Sequence, residues 1–235
     1  MKLSIVSPSY NEVKNLNEFV DNIQGTLNTK LEKFEIIIVD DNSQDGSKQV
    51  LELLGKKYNN FRYLIRTDAP RDLSKSCLLG FEHAIYENIL VLDCDLQHNP
   101  KDIIKIVDEY ALGNSNVVVG ARKLYSKIDG LSILRQLASI VIVFVLNTLL
   151  KKYTNDPMSG FFLFKKKIYL NSNSFFSKGF KILIDLIYNS KENIKLKDVY
   201  IDFNHRKANK SKMNFKILIY IIEFIIKHFF KRILK

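Results

Sequence analysis

The feature that most constrains the fold is a regular alternation of apolar runs and amphipathic segments over the first half of the chain. Five short runs are apolar enough to be buried on both faces, as strands of a helix-covered parallel sheet are. They are 3-LSIVSP-8, 36-IIIVDDNS-43, 61-FRYLI-65, 89-ILVLDCD-95 and 117-VVVGAR-122. Amphipathic helices are predicted near Glu12–Leu27, Gly46–Lys57 and Ser74–Tyr86 and after Pro100. This order predicts an α/β fold with a mostly parallel sheet covered by helices.

Three of the predicted strands end in conspicuously polar loops. These loops are SYNE after the first strand, DDNSQDGS after the second and DLQH after the fourth. Ligands of open parallel sheets bind outside the carboxyl ends of the strands, where such loops gather. We therefore expect the three loops to form one site.

The fourth strand ends in two carboxylates, Asp93 and Asp95, followed by the amide of Gln97. Two neighbouring carboxylates repel each other in a dry crevice unless a cation lies between them. In an extended segment, alternate residues point to one side, so both carboxylates can approach the same ion. Hard oxygen ligands suit Mg²⁺ or Mn²⁺. By itself, however, a D-x-D pair is more often a solvated turn than a metal site.

The positive charge of the chain is concentrated at its carboxyl end. Residues 205–235 carry nine Lys or Arg and one acid, which accounts for +8 of the net +11. On a helical wheel, residues 213–235 have an apolar face and a lysine-rich face. The apolar face holds Phe215, Leu218, Ile219, Ile222, Ile225, Ile226, Phe229 and Ile233. This pattern is typical of a helix in the plane of an anionic membrane surface, and a helix docked on its own domain is the alternative.

A second apolar segment, 137-LASIVIVFVLNTLL-150, has 14 residues, which is shorter than the ~20 needed to span a bilayer. It is either a buried helix or a helix that contacts lipid. The two cysteines, Cys77 and Cys94, have no spacing typical of a zinc site or a disulfide framework, which favours a reducing compartment. The first residues turn polar too early for a signal peptide. We expect a cytoplasmic protein.

Seven motifs in order along the chain resemble the family-2 glycosyltransferases of GT-A fold. They are SPSYNE, IVDDNSQDGS, DCDLQH, GAR, DPMSGFF, GFKIL and HRKANKSK. DPMSGFF and DLQH are similar to the branch of dolichol-phosphate mannose synthases and related polyprenyl-phosphate glycosyltransferases. The resemblance implies a GT-A domain over residues 1–212, followed by the amphipathic helix of residues 213–235.

The resemblance also implies roles for individual residues. The nucleotide sugar would be bound by Pro8, Tyr10, Glu12, Val39, Asp41, Asp93, Cys94, Asp95, Lys181, Arg206 and Lys212. The metal would be held by Asp93, Asp95 and Gln97, and the acceptor phosphate by Arg122, Arg135 and Ser139. Asp93, Asp95, Arg206 and Lys212 would act on the leaving diphosphate, so we designate them catalytic.

Other residues are given structural roles or depart from the family pattern. We expect Asp40 to orient its neighbours, the Cys94 side chain to be packed, and His98 and His205 to have no part in catalysis. Asp72 stands where the family usually has Gly, and Asn99 where it commonly has Pro. Asp72 adds a negative charge near the donor loop and puts the conformation of that loop in question.

The reaction implied is transfer of a hexose, with inversion, from a nucleotide sugar to a polyprenyl or dolichyl phosphate on the cytoplasmic face of a membrane. GDP-mannose is the favoured donor. An alternative acceptor is a glycan hydroxyl, which would need a carboxylate base, and Asp156 is the candidate. A third hypothesis is a non-catalytic basic protein that binds membrane or nucleic acid.

The run 206-RKANKSK-212 lacks interleaved aromatic residues and any nucleic-acid motif. We therefore interpret it as a loop over the donor and expect no nucleic-acid partner. The sequence leaves open the sugar, the nucleotide, the lipid, the preferred metal and the oligomeric state.

Overall fold

The computed structural model describes residues 1–122, 144, 147–148, 154–172, 175–176, 182–201, 220, 223–224 and 226. The strands in these residues are β1 (Lys2–Ser9), β2 (Lys33–Asp40), β3 (Phe61–Ile65), β4 (Asn88–Val91), β5 (Val117–Ala121), β6 (Phe162–Lys165) and β7 (Leu196–Tyr200). The helices are α1 (Val13–Leu27), α2 (Ser47–Lys57), α3 (Leu73–His83), α4 (Pro100–Ala111), α5 (Lys166–Leu170) and α6 (Ile182–Asn189). The five predicted strands are confirmed, and β6 and β7 add two that we did not predict.

The strands form one sheet in the order β3-β2-β1-β4-β6-β5-β7. The pairs β1–β2, β2–β3, β1–β4 and β5–β7 are parallel, and β6 runs antiparallel to both β4 and β5. The prediction of a mostly parallel α/β sheet is therefore confirmed. Because β6 is reversed, its first residues lie at the same edge of the sheet as the last residues of β4 and β5. The segment before β6 thus joins the loops that follow the parallel strands.

Alternate residues of the strands supply two hydrophobic layers, one on each face of the sheet. Ile5 and Ile36 belong to the layer that α1, α2 and α4 cover, whereas Val6 and Ile37 belong to the layer under α3, α5 and α6. Burial of such side chains stabilises the fold by about 1.5–3 kcal/mol each. Because both faces of the sheet are buried, the strand sequences are continuous apolar runs. The packed sheet is a rigid base for its loops.

Two helices begin at side chains that cap their first amides. Asp72 accepts hydrogen bonds from the amides of Ser74 and Lys75, and Asn99 accepts one from the amide of Lys101. Such caps contribute about 1 kcal/mol each. The two departures from the family pattern are therefore N-caps, and the Asp72 carboxylate turns back onto its own helix.

In the described residues, no helix is both long and apolar enough to cross a bilayer. The apolar segment 137–150 and the predicted helix 213–235 lie mostly outside these residues. Phe144, in the middle of the first segment, has 69% of its surface exposed. Four positions of the second segment are described: Tyr220, Glu223, Phe224 and Ile226 are all helical.

Candidate active site

The loops after β1 and β2 are joined by the side chains of the DDNSQDGS motif. Asp40 is buried and accepts from the amide of Ser43 at 2.8 Å and from the Ser43 hydroxyl at 2.6 Å. Ser43 Oγ in turn accepts from the amide of Asn11 at 2.7 Å, where φ is 54°. The left-handed conformation of Asn11 is thus stabilised by the neighbouring loop. The geometry agrees with the orienting role predicted for Asp40.

Asp45 connects the starts of two helices. One oxygen of its carboxylate accepts from the amide of Val13 at the start of α1, and the other accepts from the amide and hydroxyl of Ser47 at the start of α2. Burial alone would raise the pKa of Asp45, but the hydrogen bonds from Ser47 and Val13 outweigh it and lower the pKa overall. The carboxylate therefore stays ionised and holds the two helix starts together.

Asp41 lies against a buried arginine that sequence reasoning missed. Arg66 Nη2 lies 2.5 Å from Asp41 Oδ1, and the amide of Asp72 donates to Asp41 Oδ2 at 2.8 Å. Arg66 also donates to the carbonyls of Asp68 and Pro70. Burial raises the pKa of Asp41 although the charge of Arg66 opposes this. Arg66 directly follows β3, so the rule that polar residues gather at strand ends should have identified it.

Two further residues of the predicted nucleotide pocket lie in the loop after β1. The guanidinium of Arg71 stands over the ring of Tyr10, with Cζ 4.2 Å from the ring centroid, in a cation–π contact. Glu12 is buried and accepts from the side chain of Asn15 at 2.7 Å. Arg71 is a second missed residue, and no pattern in the sequence points to it.

Pro8 and Val39 lie opposite each other on the paired strands β1 and β2, and both are buried. The Val39 side chain belongs to the hydrophobic layer under α3. A contact of these residues with a nucleotide would therefore involve the backbone edge of the strands rather than the Val39 side chain.

The segment from Asp93 to Gln97 was predicted to be extended, and this prediction is wrong. The chain turns at Cys94 and Asp95, and Leu96 has a left-handed φ of 59°. The turn is closed by a hydrogen bond from the amide of Gln97 to Asp95 Oδ1 at 3.2 Å. A short polar side chain that binds the amide two residues on favours this turn over an extended strand.

Cys94 is packed in the core, as we predicted. Burial, and after it the charges of Glu12, Asp93 and Asp95, raise its pKa well above the usual value. The thiol is therefore protonated and inert near neutral pH. The same electrostatic effects show that the carboxylates after β1 and β4 lie around one point of the sheet edge.

Gly160, at the end of the DPMSG segment, leaves the space that the Asp93 carboxylate occupies. A Cβ built on Gly160 would lie 2.5 Å from Asp93 Oδ2, closer than any real contact of a Cβ. Within the described residues, no group of three His, Cys, Asp or Glu could hold a metal ion. The predicted ligands, Asp93, Asp95 and Gln97, are two carboxylates and an amide. Oxygen ligands of this kind fit Mg²⁺ or Mn²⁺, whose remaining ligands are usually water and substrate phosphate.

Arg122, at the end of β5, is held by both oxygens of Asp156. Its Nε lies 2.6 Å from Asp156 Oδ2 and its Nη2 lies 2.9 Å from Asp156 Oδ1. Asp156 is buried, whereas 27% of the Arg122 side chain is exposed. Burial would lower the pKa of Arg122, but the hydrogen bond and charge of Asp156 and the charge of Asp93 raise it overall. A fixed, permanently charged guanidinium therefore stands in the electrostatic field of Asp93.

His98 follows the turn at Cys94–Leu96, and the centroid of its ring lies 4.9 Å from that of the Phe161 ring. Burial, reinforced by the charge of Arg122, lowers the pKa of His98 to about 3. Its imidazole is neutral at physiological pH.

Ten of the predicted site residues are described, and the loops at one edge of the sheet carry seven of them: Tyr10, Glu12, Asp41, Asp93, Asp95, Gln97 and Arg122. Arg135, Ser139, Lys181, Arg206 and Lys212 lie outside the described residues. Their roles, and the roles assigned to the residues at the edge, stay predictions.

Comparisons with known proteins agree on the kind of protein. Among curated relatives, dolichol-phosphate mannosyltransferase of Pyrococcus furiosus is 31% identical over 221 residues, which is 93% of this chain and 61% of that protein. The chain therefore spans less than two thirds of that relative. Dolichol-phosphate mannosyltransferase of Saccharomyces cerevisiae is 29% identical over 95% of the chain and 85% of the relative. Its counterpart in Mycosarcoma maydis is 31% identical over 92% of this chain and 74% of that relative.

Solved structures share the fold. Glucosyl-3-phosphoglycerate synthase of Mycobacterium tuberculosis, in complex with Mn²⁺, UDP-glucose and glycerol 3-phosphate, superposes with a TM-score of 0.69 at 14% identity. That match covers 98% of this chain and 79% of the other. Mannosyl-3-phosphoglycerate synthase of Rubrobacter xylanophilus gives a TM-score of 0.68 at 15% identity. That match covers 99% of this chain and 74% of the other. These likenesses support the GT-A fold.

The model of the family described as Glycosyl transferase family 2 matches residues 4–171. This range is more than half of the chain and contains the loops after β1, β2 and β4 and the segment before β6. The chain therefore belongs to glycosyl transferase family 2 and is a glycosyltransferase.

Proposed function

We propose that this glycosyltransferase moves mannose from GDP-mannose to the phosphate of a dolichyl or other polyprenyl lipid. The proposal is supported by similarity over more than nine tenths of the chain to proteins named dolichol-phosphate mannosyltransferase. In the reaction, a phosphate oxygen of the lipid attacks the anomeric carbon of the sugar. The bond from that carbon to the nucleoside diphosphate breaks, and the configuration inverts.

The observation that carries the choice of acceptor is the ion pair of Arg122 with Asp156, close to Asp93. The planar guanidinium suits an anionic phosphate, because it can donate paired hydrogen bonds to phosphate oxygens. Asp156 fixes one edge of that guanidinium and leaves part of the side chain exposed. The phosphate would be held there while its free oxygen reaches the sugar.

The same ion pair argues against transfer to a glycan hydroxyl. A hydroxyl must lose its proton to a base during attack, whereas a lipid phosphate is already ionised near pH 7. Asp156 was the candidate base, yet it is buried and both its oxygens are engaged by Arg122. A phosphate acceptor requires no such base.

Asp93, Asp95 and Gln97 would hold the divalent cation, Mg²⁺ or Mn²⁺. Once bound, such an ion supplies positive charge to the departing diphosphate. The chain adds charge of its own: we assign Arg206 and Lys212 to the diphosphate, together with Lys181. Tyr10, Glu12 and Asp41 would form the nucleotide pocket, with Pro8, Val39 and the backbone of Cys94 at its base. Arg135 and Ser139 would complete the acceptor phosphate site.

We further propose that the protein works at the cytoplasmic face of a membrane, bound peripherally through residues 213–235. Ile226 belongs to the predicted apolar face of this segment and is 50% exposed. Phe144 of the other apolar segment is exposed as well. Lysines near an anionic surface contribute about 1 kcal/mol each to binding. Sedimentation with anionic vesicles tests this, because binding should weaken as salt rises, and binding equally well to neutral vesicles would contradict it.

The test of function is a donor screen with purified protein, Mg²⁺ or Mn²⁺ and a short-chain polyprenyl phosphate. Labelled sugar should appear in the organic phase, with GDP-mannose as the preferred donor. Parallel reactions with soluble saccharides address the other acceptor class. Transfer to a saccharide with none to the lipid phosphate would overturn the proposal.

A further inference from the structure

A small hydrophobic cluster connects the carboxyl-terminal segment to the active-site loop. Phe224 and Ile184 are buried at its centre, and Phe224 is only 4% exposed. Met158, Phe176 and Tyr188 pack against this pair. The Phe224 ring meets the rings of Phe176 and Tyr188 edge-on, at centroid distances of 5.7 and 5.6 Å. The segment thus docks on the domain through an aromatic anchor.

Phe224 lies on the side of the helix that the sequence marks as polar. At about 100° per residue, it projects on the same side as Lys227 and Lys231, away from the apolar face. Ile226, on the apolar face, is half exposed. Phe224 therefore faces the domain, whereas Ile226 is left available for another contact. The two alternatives weighed from the sequence, docking on the domain and lying on a membrane, are compatible.

The partners of Phe224 belong to segments that reach the site. Met158 lies between Asp156, which grips Arg122, and Gly160, which adjoins the Asp93 carboxylate. Phe176 is fixed independently, because its amide donates to Asp185 Oδ1 at 2.9 Å. Asp185 also accepts from the Asn189 side chain at 2.6 Å. Met158 packs against the cluster that Phe224 forms with Ile184, and so connects residues 156–160 to that cluster.

We propose that Phe224 is a positioning residue for glycosyl transfer. As part of the cluster on which Met158 packs, it holds residues 156–160 in the conformation that aims Arg122 and leaves room for Asp93. The docked helix thereby links the predicted membrane-binding segment to the acceptor side of the site. This inference rests on the proposed function for its kinetic consequence but not for its structural one.

The experiment compares Phe224→Leu with Phe34→Leu. Phe34 is also buried, at 7% exposure, but it lies at the amino end of β2, the opposite edge of the sheet. Both changes remove an aromatic ring from a packed cluster, so they control for general loss of stability. Hydrogen exchange is measured over residues 154–162, and transfer to a short, water-soluble polyprenyl phosphate is measured without any membrane.

In the Phe224 variant, amides of residues 156–160 should exchange faster, and kcat/KM for the acceptor should fall about tenfold, since small displacements of positioning groups are costly. The KM for the nucleotide sugar should stay unchanged. The Phe34 variant should show neither effect. Equal exchange of residues 156–160 in the two variants, or a rise in donor KM alone, would overturn the inference.

If Phe224→Leu does not fold, Met158→Ala probes the same contact from the other side and should give the same exchange and kinetic pattern. Normal exchange and kinetics in that variant would count against the inference. Failure of the wild-type protein to glycosylate polyprenyl phosphate would instead refute the proposed function. The exchange measurement would still decide the role of Phe224.

Discussion

The two sides of the active-site edge are held in different ways. The proposed nucleotide side, formed by residues 10–12, 40–47 and 66–72, is a network in which several short polar side chains each bind backbone amides. The proposed acceptor side, formed by residues 122 and 154–160 beside Asp93, depends on one partly exposed ion pair and one glycine. A network distributes the effect of a lost contact, whereas a single ion pair concentrates it. Single substitutions should therefore do more harm on the acceptor side.

The largest effect is expected at Asp93 and Asp95, which we propose to hold the metal of the donor diphosphate. Replacing Asp93 or Asp95 with Ala should lower metal-dependent transfer at least about a hundredfold, because charge stabilisation of the leaving group is lost. The free energy of unfolding should change little. Steady-state kinetics with a metal titration and urea unfolding measure the two quantities. Near-normal turnover in either variant would refute the metal assignment, and Asp108→Ala, in an exposed ion pair, serves as the control.

Gly160→Ala sharpens the comparison without removing any polar group. Its Cβ would displace the Asp93 carboxylate, so kcat should fall about ten- to a hundredfold. Gly25→Ala is the matched control, because nothing lies within 4 Å of its Cβ and it lies within a helix. That control should retain activity and gain up to about 1 kcal/mol in stability. Equal activity of both variants would mean that the close approach to Asp93 is unimportant.

Asp156→Asn tests the ion pair on the acceptor side. The substitution keeps the shape but leaves Arg122 without its counter-charge, and unfolding should become easier by about 2 kcal/mol. This is less than for a fully buried pair, since water reaches part of Arg122. The acceptor KM should rise more than the donor KM. If the acceptor KM is unchanged while stability falls, Asp156 is only structural.

The smallest effect is expected on the nucleotide side. Ser43→Ala removes one donor to Asp40 and one acceptor for Asn11, which should cost about 1 kcal/mol because the other hydrogen bonds of the network remain. The donor KM should rise less than about tenfold, the change that 1.4 kcal/mol would give. Thermal unfolding and donor titration check this. A loss of activity as large as that of Gly160→Ala would break the comparison between the two sides.

Much of the nucleotide side was predictable because its contacts follow rules that act over a few residues. An Asp in a loop or at a strand end binds amides two or three residues on, as Asp45 and Asp40 do. The caps Asp72 and Asn99 belong to the same class. The turn at Cys94–Leu96 was not predicted, because a strand can continue or turn after Leu92 with the same apolar pattern. The choice depends on what surrounds the loop.

The ion pair between Arg122 and Asp156 was not predicted, for a different reason. Arg122 and Asp156 are 34 residues apart, and their meeting requires β6 to insert between β4 and β5 in the reverse direction. Nothing in 162-FLFK-165 specifies that neighbour or that direction. Arg66 and Phe224 likewise have roles only because distant segments lie beside them.

The order of residues thus determines the α/β class, the loops that carry carboxylates, the helix caps and the basic amphipathic end, since periodicity and neighbouring groups act locally. Strand order and packing decide the remaining contacts. They determine which carboxylate meets which arginine, where a glycine must leave space, and which side of the last helix faces the domain. Those contacts join residues far apart in the chain, and only the closed hydrophobic layers on the two faces of the sheet bring them within reach.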